Sequence, residues 1–355
     1  MRSKVLGLLV TAILLGFPLV ALAAGPGGLS ARVDGDKSAI GRGERAIVTV
    51  TLANESAADA YLLRWQTPFA GVKANLFDVR RDGEPVEYIG ALVKFNRPRP
   101  GDYVLLRAGE SRSVRVDLGR YYDISRTGEY SVQFRVALQD ALRDAAPAAI
   151  AELAELESAP TFLAVERDDR APRLTETRRA TGAATTQFVG CTSSRQSSLN
   201  TARSNATSIS GNAKSYLASH TSSSAGARYT TWFGARDSGR YSTVTNHFNS
   251  INSAMANANV VFDCTCTDSY YAYVYSNQPY RIYLCNAFWS APSLGTDSKA
   301  GTLVHEMSHF NVVAATDDWA YGQSACKNLA TKKPSRAVDN ADSHEYFSEN
   351  TPALN

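Results

Sequence analysis

Along the first half of the chain apolar and polar residues alternate in short runs, as in Ala46–Leu52, Ser113–Leu118 and Tyr130–Val136. A period of two is that of a strand with one face on a core. Arg81-Asp82-Gly83, Pro100-Gly101-Asp102 and Thr127-Gly128-Glu129 punctuate these runs as turns. The pattern predicts an all-β antiparallel sandwich over residues 24–165, with no catalytic constellation in it. After residue 186 the period changes. Leu199, Ala202, Ala206, Ile209, Ala213 and Leu217 recur at three and four, as do Val244, Phe248, Ile251 and Met255, which predicts two helices. Val260–Phe262, Tyr271–Tyr275 and Arg281–Cys285 read as strands, the last two joined by the turn Ser276-Asn277-Gln278-Pro279. Thr296-Asp297-Ser298 then offers an N-cap to a helix from about Lys299 through Phe310. Residues 186–355 are therefore expected to form an α+β domain.

At the front, Arg2 and Lys4 precede the apolar stretch Val5–Val20, which closes on Ala21-Leu22-Ala23. Residues 1–23 read as a secretory signal peptide; Pro18 and the short span argue against a membrane anchor. Between the halves, residues 166–185 turn to Arg, Asp, Thr and Ala, with the dibasic pair Arg178-Arg179, and predict an exposed linker where a propeptide domain is removed. A length of 355 residues with 44% hydrophobic content is enough for a core in each half. The formal charge of +3 is spread without a run of like charge, so neither nucleic acid nor an anionic membrane is an expected partner. All five cysteines fall after residue 190, and export permits two bridges and one spare thiol, in a pairing that spacing leaves open. Asn54-Glu55-Ser56 and Asn205-Ala206-Thr207 are sequons in a host that glycosylates them. Gly128-Glu129-Tyr130-Ser131-Val132 resembles a late strand of immunoglobulin-like domains, which makes the expected sandwich immunoglobulin-like.

The chemistry lies in His305-Glu306-Met307-Ser308-His309. Residues four apart share a helix face, so both imidazoles can reach one tetrahedral metal with Glu306 beside the open position. A catalytic zinc needs a third protein ligand. Val312 and Ala315 stand where a metzincin has glycine and histidine, which excludes that class. Glu345, far along, and the nearer Asp317 and Asp318 remain, and spacing does not choose among them.

Thr316-Asp317-Asp318-Trp319-Ala320-Tyr321-Gly322 resembles the Gly-Thr-x-Asp-x-x-Tyr-Gly signature of the aspzincin, or deuterolysin, metallopeptidases, with Ala315 in place of the first glycine. The likeness runs from Gly190-Cys191 to the C-terminus and is nearest to the peptidyl-Lys metalloendopeptidases. It is carried by Arg228–Gly234, Phe262–Cys266, Ala300–Glu306 and Asn340–Phe347. The resemblance implies a zincin-type domain with His305, His309 and Asp318 as zinc ligands, Glu306 as base and Tyr321 as the phenol near the scissile carbonyl. It also implies the pairs Cys191–Cys264 and Cys266–Cys285, leaving Cys326 as a buried free thiol.

From these parts a mechanism follows. One zinc per catalytic domain polarises the carbonyl and acidifies a water, Glu306 takes its proton and hands it to the leaving amine, and Tyr321 hydrogen-bonds the oxyanion. Asp342 and Glu345, three apart, can converge on one helical face and bind a cationic side chain. In the resembling family the matching acids hold the lysine just after the cut. The expected protein is a secreted monomeric endopeptidase acting on proteins or peptides before lysine. A deuterolysin-like peptidase without that preference, or a secreted binding protein with a vestigial zinc site, are the alternatives. His344 is expected in an ordinary polar role, and His220 and His247 in structural ones. Tyr270 and Tyr271 fit either a cleft-facing strand or a sheet surface. No lysine lies between Lys94 and Lys214, whereas the linker holds Arg167, Arg170, Arg173, Arg178 and Arg179. Strict lysine specificity could not cut there, so another protease or relaxed self-cleavage is expected to trim near Ala184–Thr186.

Overall fold

The computed structural model of the chain describes residues 26–139, 154–167, 184–221 and 225–355. The signal-peptide reading of residues 1–23 lies outside them, as does most of the linker. In the first half, Leu29–Gly35, Ile47–Asn54 and Ser111–Asp117 form an antiparallel three-stranded sheet. A second sheet is centred on Gly128–Leu138, which pairs with Phe77–Arg81, Thr161–Val165 and Ala154–Glu157. Ile47–Asn54 alternates half-buried and buried positions along its whole length, so the period of two in its sequence is the imprint of one face on a core. Val48, Val50 and Leu52 from one sheet and Tyr130, Val132 and Phe134 from the other are buried in that core.

The second half builds a different layer. Thr186–Val189, Val260–Asp263 and Arg281–Leu284 pair in parallel, and Ala272–Tyr275 adds antiparallel to the last. The helices are α1 (Ser193–Ser219), α2 (Gly226–Phe233), α3 (Ser238–Asn257), α4 (Asn286–Ser290), α5 (Lys299–His309), α6 (Gln323–Lys332), α7 (Pro334–Val338) and α8 (Ala341–Glu349). The two long helices read from periodicity are α1 and α3; α2, α4 and α7 have too few turns to show a period. Cys191–Cys264 and Cys266–Cys285 are bonded, and Cys326 is free and buried, as the resemblance implied. None of the helices among the described residues is long and apolar enough to cross a membrane.

Helix α5 is the pillar of this half, buried from Ala300 to His309. Its N-terminus is capped as expected, with the Ser298 Oγ accepting from the Gly301 amide at 2.9 Å. Gly301 sets how near α8 can come. A Cβ there would sit 2.1 Å from Glu349 Oε1 and 3.0 Å from Glu345 Cγ, so only glycine lets the two helices approach this closely.

One strand crosses the expected domain boundary. Ala91–Lys94, from the first half, joins the catalytic sheet at its open edge, antiparallel to Ala272–Tyr275, with Lys94 opposite Ala272 and Val93 opposite Tyr273. An exposed edge is a row of unpaired amides and carbonyls, and here the chain's own first half covers it.

Candidate active site

On α5 the one-turn spacing of His305 and His309 brings their Nε2 atoms within 3.1 Å of each other. The chain leaves the helix at Phe310 and turns back through Ala315, whose φ is +51°. This is the position where the family signature has glycine, and the left-handed backbone explains why. The returning segment is fastened to the start of α8, since the Trp319 and Ala320 amides both donate to Asn340 Oδ1 at 2.9 Å. Held this way, Asp318 points at the histidines, with Oδ1 3.4 Å from His305 Nε2 and Oδ2 3.5 Å from His309 Nε2. Asp317 instead takes a hydrogen bond from Asn75 at 2.8 Å. The structure thus separates the two aspartates that spacing left open.

Two imidazole nitrogens 3.1 Å apart, with the two oxygens of the Asp318 carboxylate at 3.4 and 3.5 Å from one nitrogen each, suit a single tetrahedral ion. Ligands ~2.0–2.1 Å from such a centre lie about 3.3–3.4 Å from one another. Two further observations fit a cation. Both oxygens of Glu306 and both of Asp318 are buried with no hydrogen-bond partner, a costly state for carboxylates. Burial pushes the Glu306 carboxyl up to about 8 and Asp318 up to about 7, each against the pull of His305. At His305 burial acts the other way, but the Asp318 charge and contacts with Asp342 and Glu345 outweigh it and raise the ring to about 10. The surroundings favour positive charge at this point.

Behind the imidazoles, one carbonyl and one carboxylate set their orientation. His309 Nδ1 donates to the Thr316 carbonyl at 2.7 Å, and His305 Nδ1 lies 2.8 Å from Asp342 Oδ1. Each ring therefore presents Nε2 toward Asp318. Neither Thr316 nor this role of Asp342 was read from the sequence, because carbonyl acceptors leave no compositional signal.

Asp342 and Glu345 do converge, and between them lies an ammonium. Lys94 Nζ is 3.2 Å from Asp342 Oδ1 and 2.5 Å from Glu345 Oε2, and the lysine is 1% exposed. The rings of Tyr271 and Tyr346 lie 5.3 and 6.0 Å from Nζ. Burial opposes ionisation of Lys94, but the two carboxylates more than compensate and hold it firmly charged. Asp342 stays ionised despite burial, through Lys94, His305 and the Gly322 amide; burial and the nearby Asp342 charge push Glu345 the other way. His305, Asp342 and Glu345 are close enough to bind an ion themselves, but Lys94 is already the cation at that place.

Tyr321 donates from its hydroxyl to the Val93 carbonyl at 3.1 Å. Its backbone is held by Gln139 of the first half, whose Oε1 accepts from the Tyr321 amide at 2.9 Å. Tyr271 faces this cleft; Tyr270 packs on Phe95 at 5.7 Å. His247 Nδ1 and His344 Nε2 lie 3.0 Å from each other, and His220 stacks on Tyr216.

A profile for lysine-specific metallo-endopeptidases, the aspzincins, matches residues 216–349. An extracellular protease of Aeromonas hydrophila is 43% identical over 310 residues, covering 87% of this chain and 89% of its own. The chain belongs to the aspzincin family. A peptidyl-Lys metalloendopeptidase of Armillaria mellea is 36% identical over 349 residues, covering 94% of this chain and 95% of its own. A solved zinc peptidase from Grifola frondosa aligns over 46% of this chain and all of its own, at 54% identity and a TM-score of 0.45. This aspzincin is a zinc metalloendopeptidase, and its substrates are proteins or peptides.

Proposed function

We propose that this enzyme is secreted and hydrolyses internal peptide bonds on the amino side of lysine, with His305, His309 and Asp318 as zinc ligands. The observation that carries the reading is the buried acid pair Asp342 and Glu345, set directly behind His305 and already closed around an ammonium. His305, His309 and Asp318 would hold the zinc, which when bound would supply Lewis acidity toward the scissile carbonyl and a water. Glu306, one residue from His305 and without another partner, accepts that water's proton and delivers it to the leaving amine. The Tyr321 phenol donates to the carbonyl oxygen as charge develops there. Asp342 and Glu345 fix the lysine after the cut, so register is set by charge pairing on one side of the bond. The site is complete within one chain, which suits a monomer. Residues 24–165 serve as an immunoglobulin-like propeptide domain, a reading supported by the two largely antiparallel sheets, and residues 166–185 as the processing region, ahead of the catalytic domain at 186–355.

Glu306→Gln tests the chemistry. It is expected to retain one zinc per chain and lose ~10²–10⁴ in kcat; wild-type turnover in that variant sinks the assignment. Cleavage mapping on a denatured protein mixture tests specificity, and cuts scattered without lysine on their carboxyl side refute it.

A further inference from the structure

The Asp318 carboxylate accepts no hydrogen bond, so its backbone alone aims it at His305 and His309. The second half holds the middle of that turn. Asp317 pairs through its amide and carbonyl with Asp339 and Ala341, and Asn340 takes the Trp319 and Ala320 amides. Both flanks are gripped by the first half as well, each through a side-chain amide. At the leading flank Asn75 Nδ2 donates to Asp317 Oδ2 at 2.8 Å, while Asp317 Oδ1 accepts from the Asp318 amide at 2.8 Å. One carboxylate thus ties Asn75 to the peptide that carries Asp318. Asn75 is itself fixed at its other end, where Oδ1 accepts from the Tyr122 hydroxyl at 2.7 Å, and that hydroxyl accepts from the Phe77 amide at 3.1 Å.

At the trailing flank Gln139 pairs with both peptide groups of Tyr321: its Oε1 accepts from the amide at 2.9 Å and its Nε2 donates to the carbonyl. Gln139 is buried, and its own amide donates to Gln66 Oε1 at 3.1 Å. Without either side-chain amide, buried polar groups of the turn lose a partner, and the backbone has to shift to recover one. A metal ligand tolerates little of this, because a site works only within about 0.5 Å of its productive geometry. We propose that Asn75 and Gln139 are positioning residues for the metal site, holding the turn so that Asp318 is set for zinc, and that docking of the first half and binding of zinc therefore strengthen each other. This rests on Asp318 being a zinc ligand. The coupling is reciprocal: the factor by which the docked first half tightens zinc is the factor by which zinc tightens the docking. The first half thus has a part in loading the metal, through contacts with the ligand-bearing turn.

The experiment titrates zinc into metal-free, intact full chains in competition with a chromogenic chelator. Partners one step removed from a metal cost about 10–100-fold in affinity when lost, and these residues stand a further step away. Asn75→Ala and Gln139→Met are each expected to raise the zinc Kd at least threefold, and the double variant at least tenfold. Asn96→Ala removes a contact between the halves at the Ser269 carbonyl, away from the turn, and is expected to leave the Kd within twofold of wild type. If the folded Asn75 and Gln139 variants bind zinc like wild type, or if Asn96→Ala weakens it as much as they do, the inference is overturned. Asp318→Ala separates the two readings: it is expected to lose the ion, and wild-type affinity in that variant defeats the ligand reading itself. Should the turn variants not fold, the wild-type chain still decides. Hydrogen exchange at the Phe77 and Gln139 amides is expected to slow at least threefold when zinc is added, and equal rates with and without zinc overturn the coupling.

Discussion

Asp342 is asked to do two jobs with one carboxylate, and replacing it separates them. Its Oδ1 faces His305 Nδ1 at 2.8 Å and Lys94 Nζ at 3.2 Å, and its Oδ2 accepts from the Gly322 amide at 2.7 Å. Asp342→Asn leaves a single carbonyl oxygen for three donors and turns an NH2 toward at least one of them. The hydrogen bond that orients His305 is weakened, and loss of such a partner costs about 10–100-fold in metal affinity. The proposed lysine pocket loses one charged partner, at about 1.5–3 kcal/mol. With tenfold per ~1.4 kcal/mol this is roughly 10–150-fold in kcat/KM for lysine relative to an uncharged side chain of similar length. Glu345→Gln should differ, because Glu345 Oε2 is 2.5 Å from Lys94 Nζ but 3.5 Å from His305 Nδ1, beyond a good hydrogen bond. Its effect is expected on the lysine preference alone. Zinc affinity would be measured by competition with a chromogenic chelator, and preference as the ratio of kcat/KM for matched peptides with lysine or methionine after the cut, on processed enzyme. If Glu345→Gln weakens zinc as much as Asp342→Asn does, or if Asp342→Asn leaves zinc affinity unchanged, the division of labour is wrong.

Tyr321→Phe removes the one side-chain donor seen on the carbonyl ahead of Lys94 and should lower kcat ~10²–10³-fold with little change in KM; a loss confined to KM would make the phenol a binding group only. Ala315→Gly relieves a left-handed φ of +51°. The strain is worth about 1–2 kcal/mol and the added freedom of the unfolded chain takes back about 0.4–1, so a small gain in chemical-denaturation stability is expected, and a clear loss would contradict it. Burial lowers His344 to about 3, with His247 beside it lowered to about 4. Between pH 6.5 and 4 the unfolded chain therefore binds protons that the folded one does not, and stability falls as pH drops through that window, by on the order of a few kcal/mol. His247→Gln should flatten the slope in urea midpoints across this range, and an unchanged slope would exclude the pair as its cause.

His305, Glu306, His309, Asp318 and Tyr321 could be singled out from sequence because each stands in a locally spaced motif or a short signature. Helix periodicity alone puts His305 and His309 on one face, and alternation alone exposes the strands of the first half, since both patterns are written by nearest neighbours. The proposed third ligand shows where local reading stops. Asp317 and Asp318 are equivalent by spacing, and what divides them is the anchoring of the turn to Asn340 and the pull of Asn75 on Asp317, contacts between residues far apart in the chain. The close approach of α5 and α8 through Gly301, which brings Glu345 beside His305, is likewise a packing fact. Most of all, a lone Lys94 in the first half carries no signal in its own surroundings. Its meaning comes from a strand pairing and an ion pair with Asp342, 248 positions away, and only the folded chain brings this lysine between the two buried acids of the second half.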